Sequence, residues 1–460
     1  MTALDRLSPD DAAILRLESA AITGHTCKVV LLEPTPQGPP PIQELRRSVE
    51  RRLHRAPRAR RRVAFTPLRL APPAWVDDTG FDIAAHVEER PAAGRRLEGV
   101  VAELMAQRLD HRRPLWHMDL VGPFADGSSA IVWRIHHAMA DGMTAVKLGA
   151  AMLWDHDTPA REDPGPPWLP ERMPTPRYLL ARAASERAAA AAGAARDAAR
   201  AALQPSRLAG GARNLSRLPR TLRRELRPVG GEAALAAHIS SQREVAFVAR
   251  PLEQMIATEH RKREQLGEHV TINDLLLAAV AGGVGHWLAG EHLPIDPMRV
   301  QIPVSLHRPG EGTEVANRDS FLFLDLPCDE PDPDRRLERI TSEAETAKQQ
   351  HDAEALYSFF HGLSHLGAIG KAAVKLASSP HEFSLAVSNV PGPREKIYVL
   401  GRQVRGVFSI AEPADRHALR VSAISCAGTM GIALCTDPSV LHDLDRLAAG
   451  IGASFDELLG

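Results

Sequence analysis

The sequence predicts an α+β fold, mixed α/β in two large units. Three observations lead there: a length of 460 residues, strand-like and helix-like periodicity alternating on both sides of position 200, and a proline cluster between the two halves. At roughly 150 residues per domain the length allows two or three domains, so two cores are expected.

In the first unit, residues 1–155, Ser8-Pro9-Asp10-Asp11 reads as a helix start with proline at the first helical position, running toward Leu17. A strand follows over Thr26 to Glu33, then helical periodicity over Ile42 to Arg55 and Leu97 to Leu109. Leu115 to Val121 and Ser129 to Ile135 form a predicted hairpin across Asp126-Gly127. Between Asp155 and Pro176 seven prolines disfavour regular structure, so residues 156–240 are expected to be a proline-rich linker followed by an alanine- and arginine-rich helix from Tyr178 to Leu203. The second unit, 241–460, repeats the alternation. Its strands are predicted over Glu244 to Val248, Met298 to Val304, Ser320 to Leu326, Phe383 to Val387, Val404 to Ile410 and Leu419 to Ile424. Its helices are predicted over Asp274 to Leu288, Arg335 to Gln350 and Ser439 to Leu459.

Composition narrows the function. With 56 basic and 57 acidic residues the net charge is -1, so no global field draws the chain to nucleic acid. Cys27, Cys328, Cys426 and Cys435 form no Cys-x-x-Cys pair, which argues against a zinc site or a secreted disulfide framework and for a cytoplasmic protein. The N-terminus is polar rather than signal-like, and the apolar window Leu275 to Gly290 is interrupted by glycines and His286, so no membrane span is expected. There is no glycine-rich nucleotide loop and no Gly-x-Ser-x-Gly nucleophile elbow.

The chemistry concentrates where the strand Ile131 to Ile135 runs into His136-His137-Ala138-Met139-Ala140-Asp141-Gly142, after which Met143, Val146, Ala150 and Leu153 give a helical apolar face. Adjacent side chains in extended backbone point opposite ways, so one histidine faces a given cavity while the other packs behind it. An imidazole accepts a proton near neutrality, which is what activating an alcohol requires. Asp141 either orients that imidazole or caps the following helix, and a buried structural His pair and a metal site stand as other readings.

The segment His136-His137-x-x-x-Asp141-Gly142 resembles the motif of the coenzyme A-dependent acyltransferase superfamily that includes condensation domains and chloramphenicol acetyltransferase. Leu7-Ser8-Pro9-x-Asp11, Arg113-Pro114-Leu115-Trp116, Thr271-Ile272-Asn273-Asp274, Pro303-Val304-Ser305-Leu306, Ser388-Asn389-Val390-Pro391-Gly392-Pro393 and Ser425-Cys426-Ala427-Gly428-Thr429 are similar, in order, to the bacterial wax ester synthase/diacylglycerol acyltransferase branch. Ala316-Asn317 departs from the Gly-Asn of that pattern.

The resemblance implies two chloramphenicol-acetyltransferase-like domains with a tunnel at their interface. It implies acyl-CoA as co-substrate with no bound cofactor or metal, and diacylglycerol or a long-chain alcohol as acceptor. His137 would be the general base, His136 its support, and Asp141 a structural residue holding the loop through an ion pair. Gly142, Asn273, Asp274, Ser388 and Asn389 would contact substrate, with Asn273, Ser388, Asn389 and the Gly142 amide as oxyanion donors. A carrier-protein-dependent transferase of the same fold and a catalytically silent lipid-droplet protein are the alternatives.

Between Arg177 and Pro228 twelve arginines stand against three acidic residues, and a second cluster runs from Arg51 to Arg62. Contact with anionic lipid, and hence peripheral membrane or lipid-droplet association, is one reading, and a solvated helix and linker is the other.

Overall fold

A computed structural model describes residues 4–156, 165–203, 235–267, 269–305, 319–349 and 383–460. The described strands are β1 (Asp5–Arg6), β2 (His25–Leu32), β3 (Arg61–Ala64), β4 (Ala74–Asp77), β5 (Val87–Pro91), β6 (Trp116–Gly122), β7 (Ser129–His136), β8 (Glu244–Pro251), β9 (Met298–Ser305), β10 (Asp319–Leu326), β11 (Leu385–Val390), β12 (Tyr398–Val399), β13 (Arg402–Ala411), β14 (Leu419–Cys426) and β15 (Thr429–Thr436). The α-helices are α1 (Pro9–Leu17), α2 (Ile42–Arg52), α3 (Leu97–Met105), α4 (Gly142–Met152), α5 (Pro176–Leu203), α6 (Leu252–Leu266), α7 (Ile272–Gly290), α8 (Pro333–Gln349) and α9 (Leu444–Leu459).

Each predicted element overlaps one of these ranges. β1, β3, β4, β5, β12, β15 and α6 are additions. The reason differs by element: Glu88, Glu89 and Arg90 hide the strand character of β5, while Gly431 interrupts the apolar run of β15.

Two six-stranded mixed sheets carry the molecule, with strand orders β12-β13-β2-β7-β6-β5 and β10-β9-β11-β14-β15-β8. Chain order and sheet membership therefore part company. β12 and β13 come from the C-terminal unit, yet β13 lies antiparallel to β2 in the first sheet, pairing Ile410 with Cys27 and Ser409 with Lys28. The alternation of side chains gives each central strand two apolar faces. On β2, Val30 and Leu32 join Trp116 and Trp133 in one core, whereas Cys27 and Val29 join Phe408, Ile410, Ala433 and Cys435 in another that lies between the sheets. The sheets approach closely there: a Cβ on Gly431 of β15 would stand 2.2 Å from the carbonyl of Val407 on β13, so only glycine fits. The Phe247 and Phe408 rings meet across the same junction at 4.5 Å.

The C-terminal core is built on α7. Thr271 and Asp274 close its capping box, and the helix is buried from Asp274 to Gly285. At 19 residues it is long and apolar enough to cross a membrane, more than the interrupted window suggested, but 78% of its most apolar stretch is buried inside the protein. That burial is what a core helix requires.

Candidate active site

β7 ends at His136, and α4 begins at Gly142 with Asp141 as its N-cap. The turn between them is thus fixed at both ends. Asp141, 3% exposed, accepts a hydrogen bond from the Thr144 amide at 2.6 Å, which gives it the capping role. Its carboxylate is also felt by Lys28, a buried lysine on β2 that donates to Ser409 Oγ at 2.5 Å. Burial pushes the Lys28 ammonium down to about 8, against the pull of the nearby anionic groups.

His136 is fully buried and both of its ring nitrogens are engaged. Nδ1 accepts from the Ala138 amide at 3.0 Å, so the ring proton sits on Nε2, which donates to Glu18 Oε1 at 2.8 Å. The same oxygen takes a hydrogen bond from His111 Nε2, also at 2.8 Å. Burial raises the Glu18 carboxyl, but the two imidazole hydrogen bonds outweigh it and hold the group at about 2. Burial in turn keeps His136 below its ordinary value, opposed by Glu18, so a neutral imidazole faces a carboxylate.

Glu18, His111 and His136 offer ligand atoms within 4.8 Å of one another, a spacing a metal ion could use. The polarity runs the other way. Metal on Nε2 would move the His136 proton to Nδ1, against the Ala138 N–H, whereas a metal-bound histidine normally donates from its second nitrogen. The trio therefore reads as a hydrogen-bonded support for His136.

His137 differs from its neighbour. Its backbone amide is held by the Gly24 carbonyl at 2.9 Å, and the residue is partly exposed where His136 is fully buried. Burial, then the positive charge of Arg420, then His136 and Lys28, push its pKa down to about 3 against the pull of Asp141. It is neutral at ordinary pH and able to accept a proton.

The other predicted residues fall into two groups. Gly142 abuts β11: an added Cβ would come within 2.8 Å of Val390 Cγ2, so the His-His turn and the Ser388–Pro393 segment are pressed together from opposite halves of the chain. That segment is itself tied to Ser425–Thr429 by Gly392 N to Ser425 Oγ at 3.2 Å and Ala427 N to Pro393 O at 3.0 Å. Ser388 hydrogen-bonds Ser422 Oγ at 3.1 Å on the face of the sheet turned toward the junction, and alternation sends Asn389 to the opposite face. Asn273 and Asp274 lie at the start of α7, where the Asp274 carboxylate accepts from the Thr271 amide and hydroxyl. Ala316-Asn317 and Leu306 lie outside the described residues.

Glu18, His111, Lys28 and Arg420 were not among the sequence candidates. For Lys28 a signal existed, a lone charge in the apolar run Cys27-Lys28-Val29-Val30. For Glu18 and His111 there was none, since positions 18, 111 and 136 meet only through the fold.

The "Wax ester synthase/diacylglycerol acyltransferase catalytic domain" matches residues 7–276, and the "WS/DGAT C-terminal domain" matches residues 315–459. A Mycobacterium tuberculosis protein that carries the name diacylglycerol O-acyltransferase is 31% identical over 99% of this chain and 97% of its own length. A Mycobacterium bovis protein of the same name is 27% identical over 97% of this chain and 94% of its own. Among solved structures, the wax ester synthase/diacylglycerol acyltransferase from Marinobacter aquaeolei VT8 superposes with a TM-score of 0.68 at 21% identity, covering 99% of this chain and 98% of that one. The starter condensation domain of rhizomide synthetase gives 0.59 at 12% identity, over 99% and 94%. Both likenesses show the same fold.

Proposed function

Because the chain belongs to the wax ester synthase/diacylglycerol acyltransferase family, a family of acyltransferases, we propose that it esterifies diacylglycerol or a long-chain alcohol from an acyl-CoA, with His137 as general base. One observation carries the assignment of the base: both nitrogens of His136 are taken up by the Ala138 amide and Glu18, while His137, on the same turn, is partly exposed and stays neutral. His137 takes the proton of the acceptor hydroxyl as its oxygen attacks the thioester carbonyl. The carbon–sulfur bond breaks in the collapse of the tetrahedral adduct, and the same imidazole returns the proton to the departing thiolate. Asp141 holds the turn by capping α4, and Ser388 and the Gly142 amide are the donors assigned to the carbonyl oxygen in this reading.

The test is ester formation by the purified chain from one acyl-CoA with a fatty alcohol and with diacylglycerol, beside the His137→Ala variant. The variant is expected to lose at least about a hundredfold in kcat with its thermal midpoint unchanged. Undiminished turnover would remove His137 as the base, and turnover only with a carrier-bound thioester would move the chain to a carrier-dependent transferase.

The four described cysteines, all buried free thiols, support a cytoplasmic setting. The arginine-rich α5 supports contact with anionic lipid at a membrane or droplet surface. Protein that stays wholly in the supernatant with phosphatidylglycerol vesicles would count against that surface.

A further inference from the structure

β14 turns two chemistries to its two faces. Leu419, Val421 and Ala423 point into the C-terminal core, so Arg420 and Ser422 point the other way, with Ile424 and Cys426, which pack into the N-terminal core. Arg420 thereby lies on the junction face, level with Ala386 of β11 and Cys435 of β15, two register positions from the Ser422–Ser388 hydrogen bond. Its Nε is buried with no hydrogen-bond partner among the described residues. The carboxylate that attracts it, Glu412, already accepts from the Thr23 amide and hydroxyl, each at 2.8 Å, and from the Gly24 amide at 2.5 Å.

This placement is costly twice over. Burying the Nε of a guanidinium without a hydrogen-bonded partner is unfavourable, and burial pushes even Arg420 down to about 10 against the pull of Glu412. The same positive charge also weakens the basicity of His137, against the interest of a general base. Both costs are offset if negative charge appears beside His137 only while the reaction runs.

We propose that Arg420 is a catalytic residue of the acyl transfer, its guanidinium stabilising the oxyanion formed on the thioester carbonyl when the acceptor oxygen attacks. The proposal rests on the reading of His137 as base. As the new carbon–oxygen bond forms, the acceptor proton passes to His137 and the carbonyl π pair moves onto oxygen, opposite Arg420. When that pair returns, the carbon–sulfur bond breaks and the thiolate takes the proton back from His137. A cation already held in place on a strand suits this charge, because the protein need not reorganise as it develops.

The experiment uses the full chain with Arg420→Met and Arg420→Lys, acyl-CoA and a fatty alcohol. In the methionine variant kcat is expected to fall roughly 10²–10³-fold, with the KM for acyl-CoA within about threefold, and the lysine variant to recover part of the loss. A second readout separates chemistry from packing. Arg420, Lys28, His25, His136 and Asp141 are the charged and titratable groups around His137. Deleting the Arg420 charge lets His137 hold its proton to higher pH, so the acidic limb of kcat/KM and the imidazole NMR titration of His137 should both move upward in the methionine variant and little in the lysine variant. A kcat within threefold of the parent, a KM rise with kcat intact, or lost activity with an unmoved His137 titration would each overturn the role. An active His137→Ala enzyme would sink the underlying base assignment, whereas an inactive one beside a normal Arg420→Met enzyme would sink this proposal alone.

Discussion

His136 and His137 are adjacent in sequence and opposite in circumstance. His136 is the last residue of β7 and enters a closed set of hydrogen bonds, whereas His137 is the first residue of the turn that follows and is partly exposed. Glu18 decides the orientation of the first, so removing it should disturb the turn that presents the second. In Glu18→Ala, kcat is expected to fall about ten- to a hundredfold with KM little changed, and the imidazole nitrogen shifts of His136 should lose the pure Nε2–H signature. Glu18→Gln, which keeps an acceptor oxygen, should recover part of the rate. Full activity in the alanine variant would show that the turn holds without its carboxylate.

That the two histidines would differ, one packed behind the other, was legible in the sequence, because two adjacent residues leaving a strand diverge. Which groups enclose them was not, since Glu18 follows the end of α1, His111 sits in a loop, and Arg420 comes from the far end of the chain. Asp141 illustrates the middle case: cap and orienter were both open from the sequence, and the 2.6 Å bond to Thr144 gives it the cap.

Among the elements, α4 and β11 form the contact on which the site's shape depends. Gly142 sits at the first position of α4 against Val390 of β11, and the space between them holds no Cβ. Gly142→Ala should therefore push the helix start away from β11, at a stability cost of about 1–3 kcal/mol and with a loss of activity. Trimming the partner in the double variant Gly142→Ala/Val390→Ala should restore both, as measured by thermal unfolding and by kcat. If the double variant is no better than the single one, the contact does not set the geometry. Most strand and helix ranges of the second unit were readable because their apolar periods are regular. β5 and β15 escaped notice because charges in one and a glycine in the other break that period, although pairing with β6 and β14 supplies what local sequence lacks.

On the scale of the molecule, four buried imidazoles set the response to acid. Burial lowers His25, His86, His136 and His137, to about 4 in His86 and about 3 in His137. An unfolded chain protonates these groups near pH 6.5, so below that pH it gains protons the folded state refuses, and stability falls. Asp11, raised by burial to about 6, acts in the opposite sense below about pH 6, where the folded state keeps a proton the unfolded state releases, and Glu412, also raised by burial, acts in the same direction as Asp11. With four groups against two, and the four engaging first, the thermal midpoint is expected to be several degrees lower at pH 5 than at pH 7. Scanning calorimetry at the two values checks this, and an equal or higher midpoint at pH 5 would contradict it.

The passage of β12 and β13 into the first sheet has a consequence for synthesis. A nascent chain that has emerged as far as α4 already carries both histidines, but β2 still shows an unpaired edge, and the strand that covers it ends at Ala411. Nearly nine-tenths of the polypeptide must leave the ribosome before that edge is closed. The first half is thus an unfinished sheet waiting for its outer strands, open to mispairing in the interval. A gene cut at the proline-rich linker would leave it permanently in that state.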